Sequence, residues 1–179
     1  MWCRLPILLL FPLSALAEVS DSDAVGFTIV HEAVIDAPRD RVWAAAIDEI
    51  GAWWNADHTI EGDASRLSID ARPLGCFCET FRNGGGVVHM TVTFVNEGVM
   101  LRLTGGLGPL GLMGTSGNMT WELFDDESGT RVKFTYAVGG YRPGGLGALA
   151  VPVDYVIGEA LTRLQSYVET GEPRDDDLD

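Results

Sequence analysis

A long amphipathic helix near the C-terminus places the strongest constraint on the fold. Apolar side chains recur about every 3.6 residues between positions 152 and 170, which indicates a helix that buries one face. The residues of this stripe are Val153, Val156, Ile157, Ala160, Leu161, Leu164, Tyr167 and Val168. Pro152 suits the first helical position, and Gly171 suits the left-handed position that ends a helix. Only a long, curved sheet can cover an apolar face about 28 Å in length.

Short strand candidates separated by turn signals precede this helix, which is typical of an antiparallel sheet. The first, residues 27–37, leads into Pro38, a short helix with Val42 and Trp43, and the aromatic pair Trp53–Trp54. The other candidates are residues 66–70, 75–82, 87–95, 100–104, 118–124 and 131–138. We therefore expect an α+β fold in which a sheet of about seven strands wraps the last helix.

The strand candidate 87–95 alternates between apolar and polar residues, which predicts one buried and one exposed face. The residues predicted to face the core are Val88, Met90, Val92 and Phe94, and those predicted to face away are His89, Thr91 and Thr93.

Residues 1–17 have the pattern of an export signal. Arg4 is followed by an apolar run at residues 5–16, and Ala15 and Ala17 supply the small residues that precede a cleavage site. The run is short of the about 20 apolar residues that span a bilayer. We expect a periplasmic or extracellular protein that starts at Glu18 and has no membrane span of its own.

Acidic residues dominate the charge of the chain, whose net charge is −14. A charge of this sign repels phosphate backbones, so we expect no nucleic acid partner. Much of it lies in residues 18–26 and in the tail 172–179, which we interpret as solvated segments flanking one domain at residues 27–171. We expect this domain to be a monomer.

The order of these elements resembles the SRPBCC superfamily, which includes START-related lipid-transfer domains, aromatase/cyclases and the birch-pollen allergen. The resemblance is carried by residues 31–38 (HEAVIDAP) leading into Val42 and Trp43, by residues 51–54 (GAWW), and by the final helix after residues 144–150. It covers about residues 27–170 and implies a helix-grip fold around a hydrophobic cavity. Members bind lipids, sterols or polyketides, activate a chaperone ATPase or catalyse cyclisation, and they share no catalytic motif.

Two glycine-rich stretches, residues 105–117 and 139–150, are apolar as well as flexible. Neither has the glycine spacing or the Gly-Lys-Ser/Thr sequence of a phosphate-binding loop. Either they form a mobile lid over a hydrophobic ligand, since exposed apolar loops otherwise favour aggregation, or they cover the sheet as ordinary loops. Leu110 and Leu112 could also form a protein-binding edge.

Polar and aromatic candidates for the cavity come from several elements. Trp53 and Trp54 point about 100° apart on a helical turn, so one can anchor the core while the other lines the cavity. His31 shares strand parity with apolar residues and is interpreted either as a ligand contact or as a structural histidine. His58 follows Asp57 and is a weak candidate for a general base oriented by a carboxylate.

Glu79 shares strand parity with Phe77 and Phe81, so its carboxylate is expected to point inward. Buried and unpaired, it would have a raised pKa; paired with a nearby arginine (Arg66, Arg72 or Arg82) it would be an ordinary ion pair. The predicted ligand contacts are Trp54, His31, Glu79, Phe81, Met90 and Tyr155, and the candidates for catalysis are His58 and Glu79.

Cys76 and Cys78 are the two thiols that follow the signal. In a regular strand their Cα atoms would lie about 6.6 Å apart, near the upper limit for a disulfide, so a bond between them would need a bulge. A disulfide, two unreactive thiols, and redox or metal chemistry all stay open. The spacing is not that of a zinc site, and we expect neither a metal nor a cofactor.

These observations predict an exported protein that binds a hydrophobic small molecule or lipid between the sheet and the last helix. The sequence leaves two alternatives open: a cyclase- or hydrolase-like enzyme that uses the same cavity with His58 and Glu79 as its acid–base pair, and a non-catalytic envelope interaction protein.

Overall fold

A computed structural model describes residues 17–174 of the chain. The predicted signal, apart from its last residue, and the end of the acidic tail lie outside the described residues. Within them, eight antiparallel strands form one sheet in the order β1-β2-β8-β7-β6-β5-β4-β3. The strands are β1 Ala17–Ser22, β2 Gly26–Ile35, β3 Leu67–Ile69, β4 Cys76–Thr80, β5 Gly86–Asn96, β6 Met100–Gly105, β7 Gly114–Asp126 and β8 Gly129–Tyr141. The helices are α1 Arg39–Asp48, α2 Ile50–Trp53 and α3 Ala150–Thr170.

The predicted α+β helix-grip architecture is confirmed, with one more strand than expected. The additional strand is β1, which comes from the acidic N-terminal segment and pairs with β2 at the edge of the sheet. Its residues are mostly polar or charged, which is typical of edge strands because only one neighbour pairs with them. The strand therefore carries no apolar alternation by which the sequence would reveal it.

Helix α3 ends as predicted but begins two residues early. Gly171 has a φ of 86° and donates its N–H to Tyr167, which closes the last turn with a left-handed residue. The helix starts at Ala150, so Pro152 occupies the third helical position rather than the first. Proline is tolerated there because the first four N–H groups of a helix have no acceptor within it.

The predicted faces of β5 are wrong at Val88, His89 and Phe94, because two bulges shift the alternation of the strand. The pairing slips once between β4 and β5 and once between β5 and β6. Met90 and Val92 are buried as predicted, but Val88 and Phe94 are exposed to 59% and 43%. His89, predicted to face away, is buried instead.

The core lies where α1, α2 and the second half of α3 pack on the concave face of the sheet. Trp53 is fully buried and donates its indole N–H to the carbonyl of Ala45 at 2.8 Å. Its ring lies 6.3 Å from that of Trp121, which stacks on Phe134 at 4.7 Å. Arg163 of α3 donates to the carbonyl of Trp53 at 2.8 Å, which ties the helix to this cluster.

Candidate functional site

A cavity of about 520 Å³ lies between the first half of α3, the start of β5 and the segment 106–113 that follows β6. Its lining is mostly apolar, with four polar residues: Asp57, His58, Thr59 and His89. The apolar and glycine lining residues are Trp54, Ile60, Val87, Val88, Gly106, Leu107, Gly108, Pro109, Leu110, Gly111, Leu112, Met113, Leu149, Pro152, Val153 and Val156. The cavity thus has the size and composition of a small-molecule site.

The first glycine-rich stretch forms one wall of this cavity. Residues 106–113 include a short 3₁₀ helix and turn back onto the cavity, with Leu110 buried and Leu112 almost fully exposed. A Cβ on Gly106 would lie 2.6 Å from the backbone nitrogen of Gly111, so this close turn requires glycine. Both predicted roles of the stretch, lid and covering, are compatible with this position.

The hydroxyl of Tyr136 anchors this wall from within the core. It accepts a hydrogen bond from the N–H of Leu107 at 3.1 Å and donates to the carbonyl of Gly105 at 3.4 Å. Burial of the ring raises the pKa of Tyr136 to about 12, although the Leu107 N–H acts in the opposite direction. The hydroxyl therefore stays protonated and can make both hydrogen bonds at once.

His58 is held by a buried carboxylate from α3 rather than by its neighbour Asp57. Its Nε2 lies 2.8 Å from Oε2 of Glu159, and Oε1 of the same carboxylate accepts from the side-chain amide of Asn55 at 2.6 Å. Glu159 is buried, whereas His58 is partly exposed to the cavity. The geometry is that of a carboxylate-oriented imidazole.

His89 forms a second pair of this kind with Glu79 on the neighbouring wall. Its Nε2 lies 3.2 Å from Oε2 of Glu79, whose oxygens also accept the N–H groups of Ile60 and Glu61 at 3.0 Å. Burial alone would raise the pKa of Glu79, but these N–H donors and His89 outweigh it, so the pKa lies below its ordinary value. Neither predicted state of Glu79, unpaired or paired with arginine, is present.

The predicted contact residues occupy different positions relative to the cavity. Trp54 lines it, as does His58, which was a candidate for catalysis rather than a predicted contact, while Glu79 lies behind His89. Met90 is buried in the core, and Phe81 falls in the β4–β5 turn because β4 ends at Thr80. Tyr155 is on the exposed side of α3, with its ring 6.4 Å from that of His58.

His31 is buried under α3 and lies outside the cavity lining. Its Nε2 lies 2.8 Å from Asp154, and its ring fills the space above Gly158, where a Cβ would lie 2.6 Å from the imidazole. The sequence predicted that His31 points toward the inner face of the sheet. Helix α3, rather than a ligand, occupies the space next to its ring.

Cys76 and Cys78 are joined by a disulfide on β4, one of the three states left open by the sequence. Their Cα atoms lie 5.4 Å apart, closer than in a regular strand, and the pairing of β4 with β5 slips beside Cys78. This slip is the one that turns His89 inward, so the disulfide lies next to the bulge that shapes the cavity wall.

His89 and Glu159 are the two site residues that the sequence did not indicate. His89 was missed because strand alternation does not account for bulges. Glu159 lies on the buried face of α3, between Val156 and Ala160. A single carboxylate on an otherwise apolar helix face is unusual, and this is the feature of the sequence that could have identified it.

The described part of the chain has no helix long and apolar enough to cross a membrane. From Ala17 to Arg174 there is also no group of three or more His, Cys, Asp or Glu side chains placed to hold a metal ion.

Residues 26–169 match the family described as polyketide cyclase / dehydrase and lipid transport. No curated protein matches the chain.

Solved structures with the same fold come from several bacteria. A conserved protein of unknown function from Enterococcus faecalis is 16% identical with a TM-score of 0.60, and the match covers 93% of this chain and 84% of that one. CalU16 from Micromonospora echinospora is 16% identical with a TM-score of 0.56, over 91% and 88% of the two chains. A protein from Staphylococcus saprophyticus is 18% identical with a TM-score of 0.56, over 82% and 95%. At these identities the similarity extends to the fold alone.

Proposed function

The chain belongs to the polyketide cyclase / dehydrase and lipid transport family, which confirms its resemblance to the SRPBCC superfamily, and on this premise we propose that it binds a hydrophobic small molecule or lipid in the cavity beside α3. The observation that carries the proposal is the cavity itself: about 520 Å³ of space with a mostly apolar lining. Apolar walls that remain unfilled by side chains lose packing contacts, and a hydrophobic ligand restores them.

The mouth of the cavity supports the same proposal. Three of its lining residues, Ile60, Val88 and Leu112, are more than half exposed. Clustered exposed apolar side chains beside a cavity favour entry of an apolar molecule, and such patches on soluble proteins often mark binding sites.

Export as a monomer is a further part of the proposal. It rests on Arg4, the apolar run at residues 5–16 and the alanines before Glu18, together with the acidic character of the remaining chain. Ligand carriage outside the cytoplasm is then the expected role.

Native mass spectrometry of the protein purified without detergent from each cell compartment tests these points. We expect a chain that starts at Glu18, recovered from the exported fraction, with an added mass of one lipid-like molecule. The matched control is Val156→Trp, because Val156 lines the cavity and an indole at this position occupies part of the space that a ligand needs.

The variant should fold and lose the added mass. An empty cavity in the native protein, together with no binding of an apolar probe such as naphthalene in calorimetry, would reject carriage. A full-length chain in the cytoplasm would reject export while leaving the binding proposal intact.

An acid–base enzyme is the second candidate, and the pair His58–Glu159 favours it. An imidazole oriented by a carboxylate on a cavity wall is the usual form of a general base. The structure pairs His58 with Glu159 and Glu79 with His89, so the predicted acid–base pair of His58 and Glu79 is replaced by two separate pairs. Chemical change of the ligand recovered with native protein, and its absence with His58→Gln, would favour the enzyme.

The envelope interaction protein is the third candidate, through the edge formed by residues 106–113. Leu112 is exposed whereas Leu110 is buried, so Leu112→Asp alone tests this edge without damaging the fold. Loss of a partner with retention of the ligand would favour this alternative.

A further inference from the structure

Each of the three histidines between Ala17 and Arg174 is paired with a carboxylate through its Nε2 atom. The pairs are His31–Asp154 at 2.8 Å, His58–Glu159 at 2.8 Å and His89–Glu79 at 3.2 Å. The histidines of the second and third pairs line the cavity, whereas His31 lies outside its lining.

The carboxylates determine which ring nitrogen carries the proton. An ionised carboxylate only accepts hydrogen bonds, so the nitrogen that faces it must be the donor. Both carboxyl groups also accept hydrogen bonds from other donors: Glu79 accepts two backbone N–H groups, and Glu159 accepts the side-chain amide of Asn55. In the neutral rings of His58 and His89, Nε2 is therefore protonated and Nδ1 carries a lone pair.

Both Nδ1 atoms are available to a molecule in the cavity. Across the described chain, Trp121 Nε1 is the one buried side-chain nitrogen or oxygen without a hydrogen-bond partner. No residue of that part of the chain bonds to Nδ1 of His58 or His89, so neither atom can be buried. Since both side chains line the cavity, we infer that the accessible Nδ1 atoms face the cavity.

We propose that the ligand is a hydrophobic molecule that carries at least two hydroxyl groups, which donate hydrogen bonds to Nδ1 of His58 and Nδ1 of His89. This inference rests on the proposed function, since it names the class of ligand for the same cavity. The apolar lining takes the body of the molecule, and the two imidazoles fix its orientation. A ligand without hydroxyl groups leaves two desolvated acceptors without a donor, which penalises its binding.

Calorimetric titration with matched probes tests the inference. The probes are three dihydroxynaphthalene isomers, which differ in the separation of their hydroxyl groups, each with its dimethyl ether, which keeps the oxygens but cannot donate. The titrations are run in mildly alkaline buffer, where imidazole is neutral. We expect at least one isomer to bind more tightly than its ether, by about tenfold for each hydrogen bond formed.

Substitution of single histidines shows which imidazole accepts a hydrogen bond from the diol. Glutamine can retain the contact that Nε2 makes with the carboxylate while removing Nδ1, so His58→Gln and His89→Gln should each lower the affinity for the diol by about tenfold. The affinity for the dimethyl ether should stay unchanged, which shows that the cavity is intact. His31→Gln is the matched control and should leave both affinities unchanged, because His31 lies outside the lining.

The outcomes separate this inference from the function on which it rests. If the ethers bind but no diol binds more tightly than its ether, or if the glutamine variants lower both affinities equally, the inference is overturned and hydrophobic binding stands. If neither diols nor ethers bind, both are overturned.

Discussion

Trp53 and Trp54 are adjacent in the chain and their rings lie 5.7 Å apart, yet they belong to two different regions of the space between the sheet and α3. Trp53 lies in what we call the packed region, with Trp121, Phe134 and residues 160–164 of α3. Trp54 lies in the cavity region, the set of residues that line the cavity.

One helix therefore serves two purposes along its length. In the packed region side chains fill the space, and contact with the sheet stabilises the fold. In the cavity region Val153 and Val156 are only partly buried, and the walls keep their shape through hydrogen bonds of Tyr136 and Glu79. We expect stability to depend on the first region and ligand affinity on the second.

The largest expected effect comes from the same substitution made within the packed part of α3 and at the residue that precedes the helix. Leu164→Ala should lower the free energy of unfolding by about 2–5 kcal/mol, because Leu164 is fully buried and its loss creates a cavity. Leu149→Ala removes a side chain that already borders empty space, so its cost should be below about 1 kcal/mol.

Urea unfolding followed by tryptophan fluorescence measures both values. Equal losses for the two variants would contradict the division into a packed and a cavity region.

Enlarging a side chain should have opposite consequences in the two regions. Ala160→Phe introduces a ring where Ala160 is buried, and overpacking should cost about 1–3 kcal/mol of stability. Val156→Phe places the same ring in the cavity, so it should leave stability nearly unchanged and weaken naphthalene binding by about tenfold or more. Calorimetric titration and thermal unfolding of both variants check this; retained binding in Val156→Phe would contradict it.

The packed region was the more predictable of the two from the sequence. The apolar stripe of α3, its end at Gly171 and the separate directions of Trp53 and Trp54 all follow from local geometry, because each depends on residues within a few turns. Such a local pattern predicts the buried face correctly when all of its residues face the same neighbouring layer.

The cavity region depends on contacts between residues far apart in the chain. Glu159 meets His58 across 101 positions, and no local pattern links the two. The orientation of His89 depends on how β5 pairs with β4 and β6, since each bulge is defined by both strands. A prediction from β5 alone therefore assigned Val88 to the core and His89 to the exterior.

The contribution of Glu79, which supports the cavity wall, to the free energy of unfolding should depend on pH. Its pKa in the folded chain lies below the ordinary value of 4.5, so the carboxylate stabilises the fold above that value. This contribution disappears as the pH falls through the folded pKa. Glu79→Gln should cost about 1–3 kcal/mol at neutral pH, and the difference from the native protein should shrink in acid.

Urea unfolding as a function of pH measures this difference. The matched control is Glu97→Gln, because Glu97 is an exposed glutamate in the β5–β6 turn. A difference between native protein and Glu79→Gln that stays constant below pH 4.5 would show that the charge of Glu79 does not contribute.

The smallest effect should come from the disulfide. Cys76→Ser together with Cys78→Ser opens a ring that spans only three residues, and the entropy of so short a loop corresponds to about 1.5 kcal/mol. β4 contacts the cavity region through Phe77 beside Trp54 and Glu79 beside His89, and the opened loop is short, so this loss should be well below that of Leu164→Ala. Thermal unfolding of the double variant, with the native protein in a dithiol reductant as the control, measures it.

The native protein in reductant should reproduce the loss seen in the double serine variant, since both open the same bond. A loss as large as that of Leu164→Ala would mean that the disulfide also supports the packed region, and the two regions would then unfold as one unit that depends on β4. A small loss of stability accompanied by weaker naphthalene binding would instead place the effect of the disulfide at the bulge beside His89, where the slip between β4 and β5 shapes the cavity wall.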